Sequence, residues 1–479
     1  MADPTNERYE SLRTAFQAAE QDHVFAFWPE LSDDQKRQLL DDLARVDTVR
    51  LQEWRRIVLD ADAAPMSPTD LAPATVIPRE SVSREIVERG QALLAVGKVA
   101  ALTVAGGQGT RLGFDGPKGA FPISPVANKT LFQLFAESIL ATRRRYGSPI
   151  PWYIMTSPEN ARATRVFFES HRFFGLSQEH VRFFPQGVMP SFDTSGNILL
   201  SDKHRLALAP DGHGGSLLAL ASTGTLADMA ARGVEQISYF QVDNPLVACL
   251  DPVFIGLHDA HGSEMSGKTL PKADDLERVG NFALAGGRLT VIEYSDLPED
   301  LAHATNADGS RRFDAANVAI HILSRSFVQR LTQDKSGFAL PWHVAKKKVP
   351  CVDPSTDERC DPAAPNAIKL EAFVFDALPL AKNPILLGTS RAEEFSPVKN
   401  KTGVDSVETA RRDLSRRAAR WLEIAGMKVP RDAHGEPTAS YEISPLVALD
   451  AEELTQRAAA GGLLPAAPPA AGRSLYLDA

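Results

Sequence analysis

The chain has 479 residues, 43% of them hydrophobic and 24% charged, with a net charge of −9; this is a globular composition with room for two or three domains. No basic block offers a nucleic-acid footprint, no apolar run approaches the ~18 residues of a membrane span, and the polar start, MADPTNERYESL, lacks a signal core. Three cysteines, Cys249, Cys351 and Cys360, without C-x-x-C spacing argue against a disulfide framework or a zinc site, so the expectation is a soluble cytoplasmic protein.

Residues 1–95 read as helical. In ELSDDQKRQLLDDLARVD, Ser32 predicts an N-cap with Gln35 as its capping-box partner. Leu39, Leu40, Leu43 and Val46 mark one face of that helix. The Ala/Pro/Ser/Thr-rich stretch 61–78 reads as a linker. From Lys98 the pattern changes: VAALTV predicts a short buried strand that runs into a glycine-rich loop. KTLFQLFAESILATRRRYG follows as an amphipathic helix, and PWYIMTS as a strand. Ser157 and Pro158 then predict a cap and first turn for a helix near 159–169. VEQISYFQVDN and RLTVIEYSDL are further strands. ETARRDLSRRAARWLEIAG reads as a helix with a solvated basic face, and RAAAGGLLPAAPPAAGRSLYLDA as a mobile tail. Strands alternating with helices predict a mostly parallel sheet flanked by helices, with ligands at the carboxyl ends of its strands. The expected division is an N-terminal helical domain over 1–95, a catalytic domain over 96–378 and a C-terminal domain over 379–479 ending in the flexible tail.

The loop VAGGQGTRLGFDGPKG, residues 104–119, reads as an anion holder, yet two familiar patterns miss it. The dinucleotide fingerprint needs a third glycine where Leu112 stands, and the P-loop needs a hydroxyl after its lysine where Gly119 follows Lys118. Gly106, Gly107 and Gly109 still let the backbone approach a ligand, successive N–H groups can face phosphate oxygens, and Arg111 and Lys118 add charge. The bland alternative is a tight strand-to-helix turn. In QVDNPLV, Asp243 sits where a strand-end carboxylate holds magnesium against a phosphate; the alternative is an Asp-Asn turn.

APDGHGGSL supplies Asp211, Gly212 and His213, which composition reads as exposed turn residues. Gln186 in FFPQG offers a donor and an acceptor suited to a uracil edge. Glu293 and Tyr294 in IEYSD and Asn317 in FDAANVAIH pair carboxylate with amide, a way to grip sugar hydroxyls. NAIKLEAFVFD and EEFSPVKNKTG carry Lys369, Phe373, Phe375, Lys399 and Lys401, the lysines being candidates for phosphate contacts. His258 and His261 lack a partner carboxylate and read as packing or surface residues. No G-x-S-x-G occurs.

In its order of motifs the chain resembles the eukaryotic-type UDP-N-acetylhexosamine (UDP-N-acetylglucosamine) pyrophosphorylases of the wider UDP-sugar pyrophosphorylase family. The resemblance runs from FAFWPELS through VAGGQGTRLG…PKG, KTLFQ, MTS, FFPQG, APDGHGG, VDNPLV, VIEYS, NVAIH, PNAIKLEAFVFD and EEFSPVKN to YEISPL, nearly the whole chain. It implies an α/β fold with a glycosyltransferase-A-like, Rossmann-like mixed-sheet nucleotidyltransferase core, an N-terminal helical domain and a small C-terminal domain. It implies the reaction of UTP with N-acetylhexosamine 1-phosphate to give UDP-N-acetylhexosamine and pyrophosphate, with magnesium. It further implies that Val104, Ala105, Gly106, Gly107 and Gln186 hold the nucleotide, with Gly212 beside the uracil. Arg111, Lys118 and Lys369 would face the UTP phosphates, with Asp243 at those phosphates and the metal. His213, Glu293, Tyr294 and Asn317 would line the sugar side with Phe373 and Phe375, and Lys399 would meet the sugar phosphate.

Such a reaction needs no general base, because the attacking phosphate is already a dianion with a second pKa of about 6. Its barrier lies in bringing two polyanions into line, which N–H groups, cations and a metal address. Three positions depart from the family pattern: His213 and Ile320 stand where asparagines are usual, and Ala316 where a glycine is usual. All three fall on the sugar side, so UDP-glucose or broad-specificity synthesis is the alternative. A nucleotide-sugar-binding homologue without turnover would be expected to lose its charged phosphate-side residues, and these are present. The partners expected are UTP and a sugar 1-phosphate, with no nucleic acid and no membrane, for a monomer or weak homo-oligomer.

Overall fold

A computed structural model of the protein describes residues 4–61, 70–333 and 340–478. The chain divides into two compact units: one drawn from Met1–Ser67, Gln186–Leu218 and Ala339–Asp376, the other from Pro68–Pro185, Ala219–Phe338 and Ala377–Ala479.

The larger unit is organised by a ten-stranded mixed sheet. Val99–Val104 lies near its middle, parallel to Trp152–Thr156 on one side and to Gln236–Gln241 on the other. Its sequence explains the position: a nearly continuous apolar run suits a strand covered on both faces, Val99 through Leu102 are fully buried, and the one hydroxyl, that of Thr103, accepts the Trp152 Nε1–H at 2.8 Å. Val181–Pro185 extends the parallel run. Beyond Gln236–Gln241 the sheet turns mixed, with Ala315–Ser324 antiparallel to it and Met265–Pro271 antiparallel in turn to Ala315–Ser324. Helix Leu131–Tyr146 starts at Thr130, whose hydroxyl accepts the Gln133 N–H, and ends at Gly147 in the left-handed region. It sends Phe132, Phe135 and Ile139 into the core. Helices Arg84–Ala95 and Pro252–Ala260 meet closely through glycines. A Cβ on Gly90 would lie 1.9 Å from the Pro252 carbonyl oxygen, and one on Gly256 1.9 Å from that of Ile86.

Several local expectations change here. The helix expected near 159–169 begins at Ala161, because Ser157 and Asn160 cap each other instead of entering it: the Asn160 Oδ1 accepts the Ser157 N–H at 2.9 Å. Of the expected linker, residues 62–69 lie outside the described residues, while Leu71–Pro73 is a strand antiparallel to Asn281–Ala285. The expected tail contains Ser474–Leu477, a strand parallel to Ser440–Ile443 with Leu477 buried. The basic face of helix Val407–Ile424 is engaged rather than solvated. Arg417 donates to the carbonyls of Leu246 and Glu393 at 2.8 and 3.0 Å, and Arg411 to that of Pro122 at 3.0 Å.

The smaller unit packs helices Pro4–Ala18, Asp33–Leu43 and Leu51–Leu59 with short strands around Phe16, Leu39, Trp54, Phe192 and Leu370. The Ser32 and Gln35 capping box is present as expected. Asp42, buried on the same helix, takes the Arg205 guanidinium at 2.6 Å. Among the described residues no helix is long and apolar enough to cross a membrane.

Candidate active site

In the larger unit the glycine loop leaves the carboxyl end of Val99–Val104. Val104 itself is paired in the sheet, opposite Met155 and Gln241, and the Ala105 N–H donates to the Met155 carbonyl at 2.8 Å. The loop then folds back on itself: the Gly109 N–H donates to Gly116 at 2.9 Å and the Lys118 N–H to Gly107 at 3.1 Å. Gly113 and Gly116 take φ of +71° and +148°, which L side chains rarely adopt. The N–H groups of Gly106, Gly107 and Gln108 donate to no carbonyl among the described residues. Three consecutive donors are thereby left for an acceptor such as an anion. Asn160, fully buried, holds this arrangement from below, its Nδ2 donating to the carbonyls of Ala105 at 2.9 Å and Gly107 at 3.3 Å.

The return of the loop carries Lys118 into the unit, where its Nζ stands 3.9 Å from the Asp243 carboxylate. Burial pushes the Lys118 ammonium below the usual lysine range, Asp243 pulls it back up, and Arg111 and Lys399 push it down again. Lys118 thus stands against one carboxylate and within the field of two further cations, of which Arg111 is exposed. Asp243 is fixed through its backbone, its carbonyl accepting the Val398 N–H at 2.8 Å. The buried Asn244 locks the same turn: its Oδ1 accepts the Ser396 N–H at 3.2 Å and its Nδ2 donates to the Glu394 carbonyl at 2.7 Å. Lys399 follows that tie and rests on Asp405, Nζ to Oδ2 at 3.0 Å. Lys401 reaches the loop, its Nζ 3.8 Å from where a Cβ on Gly113 would stand.

Asn317 and Glu293 converge on Gly280. The Asn317 N–H donates to the Gly280 carbonyl at 2.8 Å, and a Cβ on Gly280 would lie 3.3 Å from the Glu293 Oε1. Asn317 sits at a bulge, since Thr269 pairs with Asn317 while Gly267 pairs with His321. Within the bulge Ala319 takes φ of +55°, and the Asn317 Oδ1 accepts its N–H at 3.0 Å. Ala316 and Ile320 both point into the apolar core, where an apolar side chain is stable and an asparagine would need partners. Tyr294 is 51% exposed and is not drawn into this group.

In the smaller unit the loop after Leu208–Pro210 is not the exposed turn its composition predicts. Asp211 is buried, and its enclosure requires glycines. A Cβ on Gly187 or Gly215 would lie 2.1 or 2.2 Å from its carboxylate. Burial pushes the Asp211 carboxyl up to about 6, against hydrogen bonds from Gln186 and its own backbone. Gln186, half-buried, donates from Nε2 to the Gly212 carbonyl at 2.9 Å. Gly212 takes φ of +83°, and a Cβ there would lie 2.4 Å from the Ala372 carbonyl oxygen. The His213 Nδ1 accepts the Val374 N–H at 3.1 Å, so the neutral ring carries its proton on Nε2. Burial pushes that imidazole down to about 4, with His343 acting in the same direction. The ring stacks on Phe373 at 5.2 Å and tilts against Phe375 at 5.5 Å. Lys369, on strand Ala367–Glu371, is pushed down by burial, with Glu371 opposing and Lys347 reinforcing.

Asn160, Asn244 and the enclosure of Asp211 are the features that the sequence motifs do not announce. Asn244 lies within VDNPLV, next to the residue read as the ligand. Asn160 has only its place in SPEN to mark it. His258 is a packing residue as expected, buried between the hydroxyls of Ser266 and Ser324 at 2.7 and 3.1 Å. Among the described residues no three His, Cys, Asp or Glu side chains come together as a metal site.

A glycine loop with Lys118 and Asp243 at the carboxyl ends of parallel strands is a phosphate-binding arrangement, and the family the chain matches makes its class a nucleotidyltransferase. The chain belongs to the UDPGP family, described as UTP--glucose-1-phosphate uridylyltransferase, whose model matches residues 59–418. It is 38% identical over 478 residues to the UDP-N-acetylhexosamine pyrophosphorylase-like protein 1 of Homo sapiens, covering 93% of this chain and 94% of that one. It is 34% identical to the UDP-N-acetylglucosamine diphosphorylase 2 of Arabidopsis thaliana, with 94% and 92% covered. Its fold is similar to a crystal structure of the uridine diphosphate N-acetylglucosamine pyrophosphorylase from Trypanosoma brucei in complex with inhibitor. That likeness has a TM-score of 0.80 at 28% identity, with 95% of each chain covered. The family resemblance read from the motifs therefore stands.

Proposed function

We propose that the protein transfers the uridylyl group of UTP to an N-acetylhexosamine 1-phosphate, N-acetylglucosamine 1-phosphate first, and releases pyrophosphate. The observation that carries this reading is the Lys118 ammonium 3.9 Å from the Asp243 carboxylate, with Arg111 and Lys399 near enough to push that ammonium down, beside three loop N–H groups that donate to no carbonyl among the described residues. A phosphate oxygen of the sugar 1-phosphate attacks the α-phosphorus of UTP. The new P–O bond forms as the bond to the bridging oxygen of the β-phosphate breaks, and pyrophosphate leaves. No proton has to move first, because the nucleophile is ionised near neutral pH. The protein's task is to hold the two polyanions in line and to offset the charge that builds between them.

Gly106 and Gly107 with Arg111 and Lys118 are assigned to the triphosphate, and Lys399, exchanging Asp405 for substrate, to the sugar phosphate. Gln186, Gly212 and Lys369 are assigned to the nucleotide. His213, Phe373, Phe375, Glu293, Tyr294 and Asn317 are assigned to the sugar side. Magnesium fits Asp243, since that ion keeps most of its waters and takes one or two carboxylates with substrate phosphates. It would neutralise phosphate charge there. The protein acts in this reading as a monomer or weak homo-oligomer in the cytoplasm.

The names of the relatives support the N-acetylhexosamine. A plain hexose 1-phosphate, glucose or galactose, is the second reading. It is favoured by the apolar burial of Ala316 and Ile320 beside Asn317. The test is product identity: UTP, magnesium and N-acetylglucosamine 1-phosphate should yield UDP-N-acetylglucosamine by chromatography. UTP binding without any UDP-sugar from any sugar 1-phosphate would leave only a nucleotide-binding homologue.

A further inference from the structure

Cys351 and Cys360 are nine residues apart and carry no recognised spacing, yet the hairpin that joins their strands sets them face to face. Cys351–Val352 pairs antiparallel with Arg359–Cys360, and Cys351 is the register partner of Cys360. Inside the turn the Asp353 N–H donates to the Glu358 carbonyl at 3.0 Å. Two steps along, Cys351 and Cys360 are again directly opposed, and opposed residues of an antiparallel pair stand about 4.5–5.5 Å apart at Cα. A disulfide spans Cα separations of about 4.4–6.8 Å, most often near 5.5–6 Å. The backbone is thus already at bonding distance. The Asn366 Nδ2 donates to the Cys351 Sγ at 3.7 Å. Their environments differ: Cys360 is exposed and Cys351 buried. Burial pushes the Cys351 thiol above its ordinary range, with Cys360 beside it acting in the same direction.

We infer that Cys351 and Cys360 are a reversible dithiol, closing to an intramolecular disulfide by exchange with a low-molecular-weight disulfide. The exposed Cys360 thiolate attacks one sulfur of the small disulfide, forming a mixed disulfide and releasing one small thiol. The Cys351 thiolate then attacks the Cys360 Sγ, forming the cross-strand bond and releasing the second thiol. Two protein thiols lose two protons and two electrons, and the small disulfide takes up both. The bond would staple a hairpin whose turn residue Asp357 takes the Lys203 ammonium at 2.5 Å. It would also displace the thiol from Asn366, which meanwhile brackets Val349 with bonds of 2.8 and 2.9 Å just ahead of strand Ala367–Glu371. This site is independent of the assigned chemistry.

The test uses the full chain equilibrated in glutathione buffers of increasing oxidised fraction, acid-quenched, alkylated in denaturant and mapped by peptide mass spectrometry. The expected result is a fall from three alkylated cysteines to one, Cys249 remaining. A single peptide linking Cys351 to Cys360 should appear at a midpoint unaffected by protein concentration, and dithiothreitol should reverse it. In Cys360→Ser, Cys351 should stay alkylatable throughout. In Cys351→Ser, Cys360 should stop as the glutathione mixed disulfide. Alkylation of both cysteines at every ratio in the unmodified chain would overturn the inference. So would a bond found only between chains, or Cys360 stopping at the mixed disulfide with Cys351 still free. The unmodified chain decides even where a variant fails to fold.

Discussion

Replacing Asn160 by alanine removes a side chain that ties the glycine loop to the start of the helix behind it. Its Nδ2 donates to the Ala105 and Gly107 carbonyls, and its Oδ1 accepts the Ser157 N–H. Gly107 keeps a partner, since its carbonyl also accepts the Lys118 N–H. The Ala105 carbonyl and the Ser157 N–H lose theirs in a site where Asn160 is 0% exposed. Each buried polar group left unpaired costs about 1–3 kcal/mol, so Asn160→Ala should lower unfolding stability by about 2–4 kcal/mol. The loop N–H groups would no longer be held for the triphosphate, and a displacement of about 1 Å in such a group costs about 100-fold in rate. Urea denaturation and pyrophosphate release from the same preparation read both effects, with kcat/KM for UTP falling about 10- to 100-fold. A variant that loses stability while keeping kcat/KM would show that the loop does not position the triphosphate. One unchanged in both would refute the clamp itself.

Lys118→Ala removes a cation held against Asp243, and kcat should fall about 100- to 1,000-fold, as for loss of one preorganised donor at developing charge. Because burial holds the Lys118 ammonium below the usual lysine range, the alkaline limb of kcat should lie lower than a free lysine's, and Lys118→Arg should remove it; steady-state pH profiles test both. For Asp211 the folded carboxyl sits at about 6 against an ordinary 3.8. A raised acid favours the protonated fold, so its stabilising effect is complete below the ordinary value and lost as pH rises through about 6. The gap amounts to about 3 kcal/mol, and the stability of the wild type relative to Asp211→Asn should therefore fall between pH 4 and pH 7 in urea titrations, whereas a pH-independent difference would contradict it. His213 is neutral above about 4, so no limb of the activity profile between pH 5 and 8 should disappear in His213→Asn. That variant should instead change the ratio of kcat/KM for acetylated and plain hexose 1-phosphates by about 10-fold or more, with KM for UTP little altered.

Much of the frame of both units was legible because its signals are local. VAALTV is apolar but for Thr103 and becomes a strand buried on both faces; Ser32 and Gln35 state their capping box outright. The glycine loop, Arg111, Lys118 and Asp243 were legible as residue types, and folding brings Lys118 against Asp243 across 125 positions of sequence. What was not legible depends on distant partners. Asp211 looks like a turn residue because glycines surround it, but those glycines leave room for its carboxylate rather than expose it. Arg411 and Arg417 of Val407–Ile424 read as solvated because their acceptors are backbone carbonyls, such as those of Pro122 and Leu246, which no side-chain pattern reveals. Ser474–Leu477 hides behind an Ala/Pro-rich run, and its strand partner is 34 residues upstream in register.

The most direct test is pyrophosphate release by the purified protein with UTP, magnesium and equal concentrations of the 1-phosphates of N-acetylglucosamine, N-acetylgalactosamine, glucose and galactose. The account predicts release with all components present, and the highest kcat/KM for an N-acetylhexosamine 1-phosphate. Highest kcat/KM for a plain hexose would contradict the assignment of the acetylated sugar, and no release with any of the four, while UTP still binds, would contradict uridylyl transfer itself.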